Sequence, residues 1–234
     1  MDKEFETLLN TYQRMFGMID VIHFNSQNTA DAYNQYIKVP KGSSVVSIIH
    51  NGIRDCRQSR LFDQKKLRLG FIGSVSPFKG LPILKRVIEK MNSHGYNDRI
   101  ELSVYCGQKG KDVECTNVTY KGRYSATQMA AVYNSMDLLV VPSICYETFG
   151  FIVLEAIQYG VPVLVSSKVG AKDVVNQYAP QFVFETENDL LSILCRLIDN
   201  REELVAYNKK IIELPWQWSM KKHAEEIVDK FYGS

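Results

Sequence analysis

The feature that most restricts the fold is a series of short strand-like runs, several of them apolar at consecutive positions rather than at alternate ones. They are LRLGFIGS from Leu67, IELSVYCG at 100–107, LLVVPS at 138–143 and VPVLVSS at 161–167. A strand with one face in water alternates apolar and polar residues, whereas a strand covered on both faces need not. Stretches of helical period separate the runs. In LPILKRVIEKMNSHG, Leu84, Val87, Ile88 and Met91 recur at i, i+3, i+4 and i+7, with Pro82 in the first turn and Gly95 at the exit. Ser125 and Gln128 form a capping-box pair that opens a helix ending near Met136. NVTYKG (117–122) and FVFE (182–185) supply two more strands, AKDVVNQY another helix, and two or three helices finish the chain. Alternation of strands with helices predicts an α/β fold: a doubly wound, parallel, six-stranded sheet with helices on both faces.

The front of the chain adds less. Residues 2–18 read as an amphipathic helix carrying Phe5, Leu8, Leu9, Tyr12, Met15 and Phe16 on one side. A strand, IDVIHFNS (19–26), is followed by a helix starting at Asn28 or Thr29, and SVVSIIHNG (44–52) reads as a strand ending in an Asn-Gly turn. Strand–helix–strand is too small to stand as a domain, so residues 1–54 form an extension of a domain spanning 55–218, and 219–234 a terminal helix.

Twenty-eight Lys and Arg against 26 Asp and Glu leave no basic excess of the kind that nucleic-acid binding requires. The five cysteines are scattered and never form a C-x-x-C pair, which argues against a disulfide framework or zinc site and for a reducing cytoplasm. The four histidines lack ligand spacing, so no metal is expected. No apolar run approaches the ~20 residues needed to span a bilayer.

Ligands of doubly wound sheets bind beyond the carboxyl ends of the strands. Glycines and polar residues gather at those ends: Gly73-Ser74, Gly107, Gly122-Arg123 and the 143–150 loop, all expected to line one crevice. The richest stretch is PSICYETFGFIVLEAIQYGVPVLVSS, 142–167. It places Glu147 and Gly150 in a turn and Glu155 on an apolar helix. A helix start offers free N–H groups and a positive dipole end to an anion, while carboxylates suit hydroxyls. Glu147 and Glu155 fit either an acid/base pair or a set of acceptors for sugar hydroxyls. Glu155 sits among Ile152, Val153, Leu154, Ala156 and Ile157, where a carboxylate without a partner is costly. Lys79, between Gly73 and Gly80 in GSVSPFKG, is a point charge suited to phosphate, although the loop matches neither a P-loop nor G-x-G-x-x-G. His50 reads as a turn residue, and Trp216 and Trp218 as packing for the last helix.

GSVSPFKG, then YKGR, then MDLLVVPSICYETFGFIVLEAIQYGVPVL resemble the C-terminal, donor-binding half of retaining glycosyltransferases of family 4, which have the GT-B fold. The resemblance covers about residues 45–234, and 137–164 is its most specific part. It implies a Rossmann-like domain that binds a nucleoside-diphosphate sugar. It assigns Glu147 to the donor sugar hydroxyls, Glu155 to the ribose hydroxyls, Lys79 to phosphate, and the amides around Thr148, Phe149, Gly150, Phe151 and Ile152 to the diphosphate. Tyr120, Lys121 and Gly122 fall where the backbone meets the base, with Gly73 in the phosphate loop. Ser74 stands where the family usually has arginine, and Arg123 is a candidate to compensate.

Glu147 and Lys79 would be the catalytic pair, without metal or other cofactor. The resemblance also implies a glycan or lipid-linked acceptor, surface polysaccharide biosynthesis, and at most peripheral association with a cytoplasmic membrane face. Residues 19–52 resemble the last unit of the acceptor domain and its linker, and WQWS with the following helix resembles the family's terminal crossover helix. The rest of an acceptor domain cannot fit in about fifty residues, so the chain reads as a truncated polypeptide or one half of a split enzyme. The rival expectations are a non-catalytic nucleotide-sugar-binding subunit that serves a partner chain, and a GT-B sugar-nucleotide epimerase.

Overall fold

The computed structural model describes residues 3–46, 48–50, 52–107 and 115–233. The front segment comprises α1 (Lys3–Phe16), β1 (His23–Phe24), α2 (Gln27–Asn34) and β2 (Ser44–Val45). Both expected strands shrink to two residues, paired parallel with His23 opposite Ser44. A ladder grows only where a neighbour supplies partners, and among the described residues β1 and β2 have only each other. Ile19 and Val21 accordingly remain in solvent. Asn51, in the expected Asn-Gly turn, lies outside the described residues. The cap of α2 is Ser26, ahead of Asn28 and Thr29, because its extended backbone lets Oγ accept from the Thr29 N–H. Helix α1 turns Phe16 edge-on to Tyr33 of α2, at 5.6 Å between ring centroids. Phe5, Leu8, Tyr12 and Met15 on the same helix stay exposed.

The main sheet follows: β3 (Leu67–Ile72), α3 (Leu81–Ser93), β4 (Ile100–Tyr105), β5 (Val118–Tyr120), α4 (Met129–Asn134) and β6 (Leu138–Val141). It continues through α5 (Ile152–Ile157), β7 (Val163–Ser166), α6 (Lys172–Tyr178) and β8 (Val183–Phe184). Three helices end the chain: α7 (Glu187–Asp199), α8 (Glu202–Glu213) and α9 (Met220–Phe231). The strands are all parallel, in the order β5-β4-β3-β6-β7-β8. Every residue of β6 and β7 is buried, as continuous apolar runs require of strands covered on both faces. The capping box at Ser125 and Gln128 is present, and it opens a short 3₁₀ turn that leads into α4. Chain order climbs outward from β3 through β5, then returns to start again at β6. Right-handed crossovers place helices on opposite faces for the two directions, and the sheet parts at its carboxyl end between β3 and β6.

At the opposite end those two strands are bolted together. Asp137, 1% exposed, accepts the Arg68 backbone N–H at 2.9 Å and takes its guanidinium through both oxygens. The Asp137 N–H returns a bond to the Arg68 carbonyl at 2.7 Å. The carboxylate beside it holds the Arg68 guanidinium above its ordinary pKa, against the opposing effect of burial.

Residues 53–66 run extended across the domain without joining the sheet, and two buried amides satisfy their backbone. Gln158 accepts the Arg54 N–H on its side chain and the Cys56 N–H on its carbonyl. Asn208 accepts the Arg60 N–H and donates to the Gln58 and Gly160 carbonyls. Trp216 lies under the Arg57 guanidinium and Trp218 is buried against Tyr178 of α6. The tryptophans therefore anchor the linker and α6 rather than the last helix. Helix α9 instead reaches the front segment: Lys230 donates to the Val45 carbonyl at 2.7 Å, and Phe231 packs against His23.

Asp137→Ala strands the half-buried Arg68 guanidinium beside a cavity. The loss expected on removing one partner of such a pair is about 3 kcal/mol, read from the midpoint of urea denaturation.

Candidate active site

The loops after β3 and β6 meet at the crevice. Gly80 adopts φ +78°, and a Cβ there would stand 1.7 Å from the Pro142 carbonyl oxygen, so only glycine lets the two loops close on each other. The Phe78 carbonyl takes the Ile144 N–H at 2.9 Å, a second tie between them. Together they enclose a cavity of 180 Å³ that includes Gly73, Lys79, Ser143, Glu147, Gly150 and Ile152 in its wall. That is below the ~300 Å³ at which pockets begin to bury a whole drug-sized ligand. It matches one end of a longer ligand.

Lys79 reaches Glu147 across this cavity, Nζ to Oε1 at 2.9 Å. Ser143, at the carboxyl end of β6, donates from Oγ to the same oxygen. The backbone of Glu147 is pinned from the other side, its N–H on the Lys168 carbonyl and its carbonyl on the Gly170 N–H, both at 3.0 Å. Behind it, the Thr148 carbonyl accepts the hydroxyls of Ser26 and Thr29 from the start of α2. Helix α5 is only six residues long, so its dipole is slight, but its first turn still presents N–H groups. The first ladder bonds run from Val153 to Gly150 and from Glu155 to Phe151, and the amides of Phe151 and Ile152 precede that ladder. Phe149 places its ring in the core, and its carbonyl accepts the Ala171 N–H at 2.7 Å.

Glu155 lies one turn into α5, its side chain 14% exposed. Oε2 accepts the Tyr133 hydroxyl at 2.8 Å, and His50 Nε2 stands 3.4 Å from Oε1. These groups answer the burial problem that the sequence raised. Tyr133 is fully buried; burial first, and the Glu155 charge second, push its phenol well above the ordinary tyrosine pKa.

The remaining expected residues form a second cluster instead of lining the same cavity. Lys121 and Arg123 are exposed beyond the end of β5, with Gly122 between them. The Arg123 guanidinium covers Gly107, where a Cβ would come within 2.5 Å of Nε. Gly107 and Arg123 thus mark the ends of β4 and β5 as one wall further along the crevice. Ser74 is exposed on the β3 loop. Sequence reasoning missed Ser143, Tyr133 and the contact of His50. Ser143 carried a weak signal, a hydroxyl residue closing a buried strand four positions before a carboxylate. Among the described residues no group of His, Cys, Asp and Glu could hold a metal ion, all five cysteines are free, and no helix is long and apolar enough to cross a membrane.

Fold and crevice together define one Rossmann-like half of the GT-B glycosyltransferase architecture. The chain belongs to the family of glycosyl transferases group 1, whose model matches residues 66–200. It is 28% identical over 186 residues to protein CapJ of Staphylococcus aureus, covering 71% of this chain and 47% of that one. It is 26% identical over 151 residues to the lipopolysaccharide 1,2-N-acetylglucosaminetransferase of Salmonella typhimurium, covering 58% and 40% respectively. The matched part is thus about half the length of these relatives or less. Among solved structures, Anabaena HepE in complex with UDP and glucose superposes with a TM-score of 0.75 at 15% identity, covering 98% of this chain and 67% of that one.

Lys79 and Glu147 are a partly exposed pair, and such pairs contribute little to stability. Lys79→Met should shift the unfolding free energy by less than about 1 kcal/mol in a denaturant titration, so any lost binding reports on the site.

Proposed function

We propose that this chain is the donor-binding half of a retaining glycosyltransferase that moves a sugar from a nucleoside diphosphate to an acceptor hydroxyl in surface glycan biosynthesis. The observation that carries the reading is the Lys79–Glu147 pair sharing one cavity wall with the 150–152 turn, with Glu155 one turn further along α5. A nucleoside-diphosphate sugar needs a cation and N–H donors for the diphosphate, and carboxylates for the hydroxyls at either end. Glu147 then serves the sugar, Glu155 the ribose, and Lys79 with the Phe151 and Ile152 amides the diphosphate, with the base running toward Lys121–Arg123. UDP and glucose in the structurally similar HepE support the same donor class.

In this reading binding exchanges partners. The diphosphate takes Lys79 from Glu147, and the freed carboxylate accepts sugar hydroxyls. Charge then grows on the departing diphosphate as the glycosidic bond stretches. Fixed donors aimed at that charge lower the barrier more than they tighten ground-state binding. Lys79 and the two amides are such donors, while Glu147, held by Ser143 and by its backbone ties, keeps the sugar oriented. No metal is needed to neutralise the leaving group if these donors suffice. The acceptor, a glycan or lipid-linked sugar at a cytoplasmic membrane face, would be bound by an acceptor-binding counterpart.

Titration calorimetry with UDP, GDP and ADP tests the donor site directly. Lys79→Ala and Glu155→Ala should each weaken binding of the nucleotide by about 1–3 kcal/mol, the worth of a hydrogen bond to a charged group. Unchanged affinity in both variants would sink the assignment. Ser74→Arg should tighten diphosphate binding; no gain would show that Arg123 or another base already fills that role.

A further inference from the structure

His50 lies outside the family match and was expected to be an ordinary turn residue, yet its ring has a hydrogen bond at one nitrogen and an edge contact with Phe151. The Gly52 N–H donates to Nδ1 at 3.0 Å. Because Nδ1 is occupied as an acceptor, the neutral imidazole carries its proton on Nε2. That nitrogen is closed off from solvent and meets no well-aligned hydrogen-bond partner. Glu155 Oε1 is 3.4 Å away, close enough for attraction but too far off line for a formed hydrogen bond. The ring plane is set by Phe151, edge-on at 5.0 Å, and Phe151 in turn packs edge-on against buried Phe149 at 5.5 Å. A buried N–H aimed at a carboxylate and left short of it is costly in place. A modest turn of the Glu155 carboxylate would remove that cost.

A carboxylate offers roughly four lone-pair sites. The Tyr133 hydroxyl takes one on Oε2. If His50 takes one on Oε1, two remain on the open side, the number that a vicinal diol requires. We infer that His50 is a positioning residue for Glu155: its Nε2–H completes a hydrogen bond to Oε1 as the carboxylate turns to the ribose, and so sets selectivity for ribonucleotides. This rests on the reading of Glu155 as the ribose ligand. His50 acts through Glu155 and touches no reacting atom.

The test compares affinities for UDP, GDP and ADP with those for their 2′-deoxy counterparts, in the wild-type chain, His50→Phe and His50→Gln. Phenylalanine keeps the edge packing on Phe151 but removes the donor, and glutamine restores an N–H. The wild type should prefer the ribonucleotide. His50→Phe should lose roughly fivefold of that preference, about the worth of one ordinary hydrogen bond, and His50→Gln should recover most of it. Thermal unfolding of both variants checks that they fold. A folded His50→Phe with the wild-type preference, or a His50→Gln no better than it, overturns the role of His50 and leaves the site reading standing. A wild type that binds the nucleotides without preferring ribose overturns the ribose role of Glu155 and this inference with it.

Discussion

The structure depends on the contact between β3 and β6, strands that are neighbours in the sheet but separated by two strands and two helices in sequence. Because connections leave that pair in opposite directions, their carboxyl ends cannot both be covered by the helices that follow. The gap is a consequence of strand order and exists before any functional residue is placed in it. What makes it a site is how tightly its floor is fixed. Asp137 clamps Arg68 at the amino ends, and the Gly80–Pro142 contact closes the carboxyl ends. Buried ion pairs of this kind often add little net stability, since desolvation cancels much of the attraction. Their geometric value is different: a one-residue slip of β6 against β3 would break the two-way backbone and side-chain ladder between Asp137 and Arg68 at once. Register at one end therefore fixes the approach of the loops at the other.

Within the crevice the resting charge is close to balanced. Lys79 and Glu147 satisfy each other, and Ser143 adds a neutral donor to the same carboxylate oxygen. An unpaired ammonium beside an apolar wall would attract any anion, and an unpaired carboxylate there would carry an uncompensated desolvation cost. A mutual pair avoids both and holds the two side chains across the cavity. The cost of separating them is moderated by exposure of the lysine, whose side chain is 39% accessible. A diphosphate offers the ammonium a denser charge than a carboxylate does. In the proposed reading the exchange is therefore selective, since a neutral sugar alone would give Glu147 hydroxyls but return nothing to Lys79.

Most of this was legible in the sequence, and the parts that were not share one cause. Consecutive apolar residues in β6 and β7 announced a sheet buried on both faces, because that pattern is a local consequence of burial. Glu155 was found by the same logic, as a carboxylate on an otherwise apolar helix. What its partners would be was not legible. Tyr133 lies on another helix and His50 at the far end of the linker, and nothing in spacing connects either with position 155. The front strands were over-read for a related reason. IDVIHF and SVVSII have strand composition, yet a strand is realised only where a neighbour completes the ladder. The polar strand ends occupy two places along the crevice, since Gly107, Gly122 and Arg123 end strands one and two places away from β3 on the side opposite β6.

The front segment bears on the site more closely than its size suggests. Ser26 and Thr29 hold the Thr148 carbonyl, Asn28 holds the Lys168 carbonyl, and the Gln27 N–H caps Asp173. Lys168 and Thr148 are the residues through which the backbone of Glu147 is pinned or continued. Burial raises the Asp173 carboxyl above its usual range even though the Gln27 N–H opposes the shift, a sign of how closely the two surfaces fit. The same segment is tied at its other end to α9 through Lys230 and Phe231. A force that moves α2 relative to the sheet must therefore either break several hydrogen bonds to the loop carrying Glu147 or carry that loop along. His50 extends the argument to Glu155, because it too belongs to chain that precedes the sheet. The loop that carries Glu147 is thus tied to the amino-terminal side by hydrogen bonds, and His50 brings the same side of the chain to 3.4 Å from Glu155.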